Sequence, residues 1–407
     1  MSKNMEIVKK VNIGFIFFLT FGYIFFYSFA RPFLISNDFF SIPFRIIFFF
    51  FSLYILYLNF ENVKRRKSTV FCIALFWIFY LCKAVHSFRN DFFLSKIISD
   101  EYQIYARILG LNLIPYIAVL SINFSKEIAV RLNGIIFNFL WVVLGISCLY
   151  TIIVYRAFEK SSGIFASSYI NVGHYGLSLL IISLYYYFQS SEGKIKPVLG
   201  IFIGIFTIFS SSARSPILAA FIIVLVLFCY INKLKYWIAL FFSILIFMIG
   251  IYLLKQTSVS DFEFVDRMYN ALFQGNGSGR SLFLLKGWNV FKENIFLGGR
   301  ILFEDGMYPH NIIVEILMSM GVVGVGLFLL YYRDLWKFKI KYLRENIYYL
   351  PFFLFFIQYC VLVLTSGNIF GNMEFWSFSA VTISIILFCY DEEIKSNDSR
   401  GNTTGNH

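Results

Sequence analysis

Residues 197–231 read PVLGIFIGIFTIFSSSARSPILAAFIIVLVLFCYI. Two apolar runs, 197–212 and 216–231, flank a polar turn whose only charge is Arg214. Each run is long enough, or nearly so, to cross a hydrocarbon layer of roughly 30 Å as a helix. Runs of the same kind recur from residue 11 to residue 390. The chain of 407 residues is 59% hydrophobic, 21% aromatic and only 14% charged, with a mean hydropathy of +0.72. No division into a soluble core and a wet surface accommodates that balance. The sequence therefore predicts an all-α integral membrane protein.

Cutting the chain at its charged and turn-forming islands gives about twelve spans, near residues 11–30, 42–60, 68–85, 105–122, 134–155, 169–189, 197–213, 215–232, 236–254, 311–332, 346–366 and 373–390. Four regions follow: spans one to nine in 1–254, a long loop over 255–310, spans ten to twelve in 311–390, and a disordered polar tail over 391–407. Basic residues set the orientation. With the N-terminus inside, Lys9 and Lys10, Lys64-Arg65-Arg66-Lys67, Lys126 and Arg131, Lys194 and Lys196, Lys233 and Lys235, and the stretch from Arg333 to Arg344 all fall on the cytoplasmic side. Both termini are then cytoplasmic and the long loop lies outside. Ser28 and Ala30 imitate a signal-peptidase site, but the preceding run is as long as a span and Arg31-Pro32 follows at once, so no cleavage is expected.

The formal net charge of +12 does not imply nucleic acid, because the charges lie between apolar runs and are not collected on one exposed face. All six cysteines sit in or at the rim of apolar runs without paired spacing. They read as free thiols packed as small apolar groups.

Function concentrates in the long loop and the span after it. Leu282, Leu285, Trp288, Phe291 and Ile295 recur at spacings of three or four, which predicts an amphipathic helix on the membrane surface, stopped by Gly298-Gly299. Tyr308-Pro309-His310-Asn311 opens the tenth span. Pro309 is suited to start that helix, whose first N–H groups would make a modest anion site. His310 exchanges protons near neutrality. Glu315, little more than a turn into the membrane, must face protein or a cavity, and Gly321 and Gly324 permit close helix packing. Arg214 occupies a turn where any polar residue would serve. A guanidinium there suits phosphate oxygens through two parallel hydrogen bonds. Arg280, Arg300 and Arg267 add outward cations, for which snorkelling toward headgroups is the plainer reading. His86 and His174 read as structural, although His174 shares the outer half of the membrane with Arg214. Asp100-Glu101 and Asp261-Phe262-Glu263 read as solvated loop charge and not as metal ligands. Gly275-Asn276-Gly277-Ser278-Gly279 lacks the Lys-Ser/Thr ending of a nucleotide-cradling loop.

The segment from Arg280 to Gly324, with Trp288, Glu293-Asn294-Ile295-Phe296-Leu297-Gly298, Pro309-His310-Asn311 and Gly321-x-x-Gly324, resembles the signature loop and following span of the O-antigen polymerase and ligase superfamily. Ser211-Ser212-Ala213-Arg214 is similar to that family's Ser-Arg turn. Ser215 departs from the Gly that often follows the family's Arg, and Met320 from the Glu that often precedes its first Gly. The resemblance implies an enzyme of the bacterial inner membrane, its site facing the periplasm. It would transfer a glycan from undecaprenyl pyrophosphate without metal, cofactor or nucleotide sugar. Arg214, Arg280 and Arg300 would hold the pyrophosphate, His310 would orient or deprotonate the attacking hydroxyl, and Glu315 would fix the imidazole or bind the acceptor. Trp288, Tyr308 and Trp376 are candidates for stacking on sugars or for the interfacial aromatic belt. The implied partners are an undecaprenyl-pyrophosphate-linked oligosaccharide, membrane lipid and a chain-length regulator protein. Polymerase is the favoured reading and ligase the alternative. A transporter or flippase of lipid-linked sugars is the rival from another class; it fits twelve spans but not a late external loop that carries His310 and several arginines.

Overall fold

The computed structural model describes residues 3–33, 37–90, 101–155, 161–189, 193–231, 234–257, 263–274 and 279–403. Asp100, Asp261, Phe262 and the run Gly275-Asn276-Gly277-Ser278 lie outside them. Among the described residues all regular structure is helical. Among the described residues seven helices are long and apolar enough to cross a membrane, with shorter apolar helices at Ile42–Leu58, Ile195–Ser211 and Leu245–Lys255. The protein is thus a polytopic membrane protein. The difference from about twelve spans arises partly where helices are interrupted. The first apolar run, for example, divides into Lys3–Phe17, a π-helical stretch Phe18–Gly22 and Ile24–Tyr27.

Small residues set the tightest helix pair. Tyr169–Gln189 lies against Ile195–Ser211, with Gly176 facing Gly204; a Cβ added at Gly204 would stand 2.8 Å from the Gly176 carbonyl oxygen. Contact this close lets dispersion forces act between backbones, the main source of helix association where lipid removes the hydrophobic drive. The pair ends at the turn carrying Arg214, so its packing fixes where that guanidinium stands.

Helix Ile312–Tyr331 is broken at Gly321, whose φ of 63° and ψ of −157° are non-helical. Without a Cβ, Gly321 takes this conformation freely, and a Cβ there would collide with the Phe296 carbonyl. The loop 294–299 docks into the break: Gly299 N–H donates to the Met318 carbonyl (2.8 Å), and Val322 and Val323 N–H donate to the Ile295 and Phe296 carbonyls (2.9 and 3.1 Å). Backbone groups freed by a break inside a membrane need such partners. Gly321 therefore serves a loop insertion, where the sequence suggested helix-on-helix packing.

The basic segments meet at one end of the bundle. Lys9 and Arg131 pair with Glu127, Arg66 donates to the Ile122 carbonyl (3.3 Å) and Ser384 (3.2 Å), and Lys339 and Lys341 pair with Glu393. That last cluster corrects the expected disorder from Asp391 onward. Helix Met373–Thr403 runs through the position, because two ammonium groups and the Tyr342 hydroxyl hold Glu393 against the bundle. Residues 404–407 lie outside the described part.

The described residues of the long loop hold two helices. Arg280–Glu293 matches the expected amphipathic element, with Leu282, Leu285 and Trp288 exposed. Glu263–Phe273 was not anticipated; it lays Phe264, Val265 and Met268 against Ile251.

Candidate functional site

At the end of the bundle away from the basic cluster, one cavity of about 330 Å³ is lined by Arg107, Arg280, Tyr308 and His310, with Asn171 and the loop Ser366, Gly367, Asn368, Gly371 and Asn372. Three successive carbonyls at the C-terminal end of helix Leu350–Thr365 organise it. Leu364 accepts from Asn311 Nδ2 (2.9 Å), Thr365 from Arg280 Nη1, and Ser366 from His310 Nδ1 (3.5 Å). The last carbonyls of a helix have no partner within it and carry partial negative charge, so donors and cations gather there.

His310 has φ of 59°, one of three positive-φ positions among the described non-glycine residues, with Ser212 (51°) and Phe29. Two of the three therefore fall in the motifs singled out from the sequence. Such conformations cost of order 1–3 kcal/mol each and cluster where function requires a fixed side-chain direction. The imidazole lies beside Tyr308 (ring centroids 4.4 Å) and Phe283 (5.5 Å). A carbonyl can only accept, so Nδ1 carries the proton and Nε2 is left as the basic nitrogen. Partial burial lowers the His310 pKa from its ordinary value, the Ser366 hydrogen bond works against this, and the Arg280 charge lowers it further. Burial likewise lowers Arg280 and raises Tyr308.

Helix Ile312–Tyr331 begins after His310, not at Pro309. Asn311 caps it, its Oδ1 accepting from Ile313 N–H (3.0 Å) and Val314 N–H (3.1 Å). Those donors are consumed by the cap, which corrects the expected anion site at this helix start. Arg214 lies within electrostatic reach of Arg267 and Arg280. Arg267 stands over the Tyr169 ring at 5.2 Å and pairs with Glu263 at 3.5 Å, so it joins the cationic group. Arg300 does not line the cavity and pairs with Glu304 at 2.8 Å.

Glu315 is fully buried and does not line the cavity either. Its Oε2 accepts from Ile369 N–H at 3.0 Å. The carboxyl thus holds the loop between the last two spans, and the Ser366 carbonyl is the imidazole's hydrogen-bond partner. Asn112 donates to the Phe370 carbonyl and Trp376 Nε1 to the Ile369 carbonyl (3.0 and 2.7 Å), pinning the same loop. Trp376 is 1% exposed among Trp77 and Tyr331, a core residue and not a rim platform for sugars. His174 is buried as well, its Nε2 3.2 Å from the Ser215 hydroxyl next to Arg214.

Arg107 and Glu374 escaped the sequence reading. Each lies just inside a span, and the rule that picked out Glu315, an ionisable group within an apolar run, marks both. Arg107 ends helix Glu101–Arg107 and is followed by a π-helical stretch, Ile108–Leu113; wide turns of this kind are frequent at functional sites.

The fold and this cavity define a polytopic membrane protein with a cationic, imidazole-bearing recess at one end. Residues 199–329 match the family model described as O-antigen ligase. That segment contains Arg214, Arg280, His310 and Glu315, and it is similar to the O-antigen polymerase and ligase superfamily over those residues. No curated protein matches the chain.

Proposed function

We propose that this chain is an O-antigen polymerase of the bacterial inner membrane, transferring a growing glycan from undecaprenyl pyrophosphate to the next lipid-linked unit. The observation that carries the reading is the meeting of His310, Arg280 and Arg107 in one cavity, with Arg214 and Arg267 in electrostatic reach of Arg280. Among the described residues no acidic side chain lines that cavity, so a diphosphate meets no carboxylate there.

An acceptor hydroxyl oxygen attacks the anomeric carbon while the bond from that carbon to the diphosphate oxygen breaks. The electron pair of the broken bond leaves with the diphosphate. The hydroxyl proton passes to His310 Nε2. The guanidinium groups neutralise charge as it grows on the leaving group, through paired hydrogen bonds that an ammonium does not reproduce. The basic end of the bundle faces the cytoplasm by the positive-inside rule, which turns the cavity toward the periplasm.

The description of the matched family favours a second reading, ligase. Lipopolysaccharide electrophoresis in a deletion strain separates the two. Polymerase loss leaves core bearing one repeat unit, whereas bare core with accumulated polymer identifies a ligase, and repeat units trapped inside the cell identify a transporter and overturn both enzyme readings.

A further inference from the structure

A second cavity, of about 550 Å³, adjoins the first: Arg107, Ser168, Asn171 and Gly371 line both. Its remaining polar lining differs in kind. It contains Arg45, Tyr23, Tyr175 and the carboxyl of Glu374, a residue only 6% exposed. Tyr23 donates its hydroxyl hydrogen to Glu374, and Tyr175 stands 2.8 Å from the same Tyr23 oxygen. Tyr175 hydrogen-bonds the Glu374 carboxyl as well, so the two hydroxyl groups and the carboxyl form one cluster. This cluster fixes the carboxyl's direction at the cavity wall.

We infer that this second cavity is the acceptor's sugar subsite, with Glu374 the residue that receives the sugar's hydroxyl groups. The inference rests on the transferase reading above and deepens it. Both recesses hold arginines, and the carboxyl of Glu374 is what separates them. A diphosphate suits the first, which has arginines and an imidazole and no acid. It is opposed in the second by Glu374, whereas a neutral polyhydroxylated ring finds there carboxyl oxygens to accept, guanidinium groups and Asn171 to donate, and tyrosines to do either. The shared wall at Arg107 and Asn171 is where a nucleophilic hydroxyl from the second cavity meets an anomeric carbon in the first. Phe44 belongs both to the second cavity and to an apolar groove lined by Phe18, Phe26 and Ile47. An acceptor carried on a lipid therefore keeps its anchor in apolar surroundings while its sugar occupies the subsite.

The test uses the full chain in lipid nanodiscs, a trace of radiolabelled lipid-linked glycan as donor, varied unlabelled lipid-linked unit as acceptor, and undecaprenyl diphosphate as competitor at the donor site. Glu374→Gln is expected to raise the half-saturating acceptor concentration about tenfold or more, the loss of one hydrogen bond to a buried polar group, and to leave inhibition by undecaprenyl diphosphate unchanged. Arg280→Ala shows the reverse. Should Glu374→Gln fail to accumulate, Arg45→Gln, which lines only the second cavity, carries the same expectation. Unaltered acceptor dependence, or a parallel change in undecaprenyl diphosphate inhibition, overturns the subsite while Arg280→Ala remains defective. Absence of both transfer and diphosphate inhibition in the wild type removes the transferase reading itself, and the subsite with it.

Discussion

The role of base proposed for His310 rests on its backbone as much as on its ring. A left-handed φ turns the imidazole toward the Ser366 carbonyl, the carbonyl claims the Nδ1 proton, and burial keeps the ring neutral at lower pH than a free histidine. Because the active form is the deprotonated one, the transfer rate is expected to rise with pH through a midpoint below the free value of about 6.5 and to be flat above pH 7. Arg280→Gln removes a positive charge that disfavours the imidazolium, so its limb moves to higher pH; a pH–rate profile of both proteins checks the direction. Asn311 belongs to the same scale. Asn311→Ala loses two cap hydrogen bonds and the Leu364 contact. A destabilisation of about 1 kcal/mol, read by thermal unfolding in detergent, is expected together with slower transfer, since the cap sets the residue after His310.

At the scale of elements, two glycine contacts position the site. Gly321 breaks the helix that follows His310 and receives the 294–299 loop, so Gly321→Ala forces a side chain into both a left-handed φ and the Phe296 carbonyl. The expected outcome is loss of more than about 1–3 kcal/mol, seen as a broadened or aggregated peak in fluorescence-detected size exclusion. Gly204 sits where two helix backbones touch. Gly204→Leu pushes Ile195–Ser211 off Tyr169–Gln189 and carries the Arg214 turn with it, so transfer should fall at least tenfold even in protein that remains monodisperse. The sequence made the glycines visible but not their partners. Gly321-x-x-Gly324 has the spacing of a helix-packing motif, and spacing alone cannot reveal that a loop 20 or so residues upstream fills the break.

For the whole molecule, the separation of the basic end from the end that holds the cavity is the testable property. Trp336 lies at the basic end, 90% exposed, and Glu304 lies in the long loop with its side chain 62% exposed. In a background with the six native cysteines replaced by alanine, Glu304→Cys should react with a membrane-impermeant maleimide on intact spheroplasts. Trp336→Cys should react only after permeabilisation. The opposite pattern would place the cavity in the cytoplasm and rule out a periplasmic reaction.

Apolar run length and the placement of lysines and arginines determined by themselves that this chain is an all-helical membrane protein, because lipid punishes buried charge wherever it falls. The chemistry of His310, Arg214 and Arg280 was legible for the same reason: polar groups are costly at those places. Which of them meet was decided only in three dimensions. Arg300 pairs with Glu304, Glu315 holds a loop, and Arg107 and Glu374 enter cavity walls from distant spans. Hydropathy records each residue's own cost in lipid, whereas a site depends on which helix ends share carbonyls and on how closely their glycines let the backbones approach.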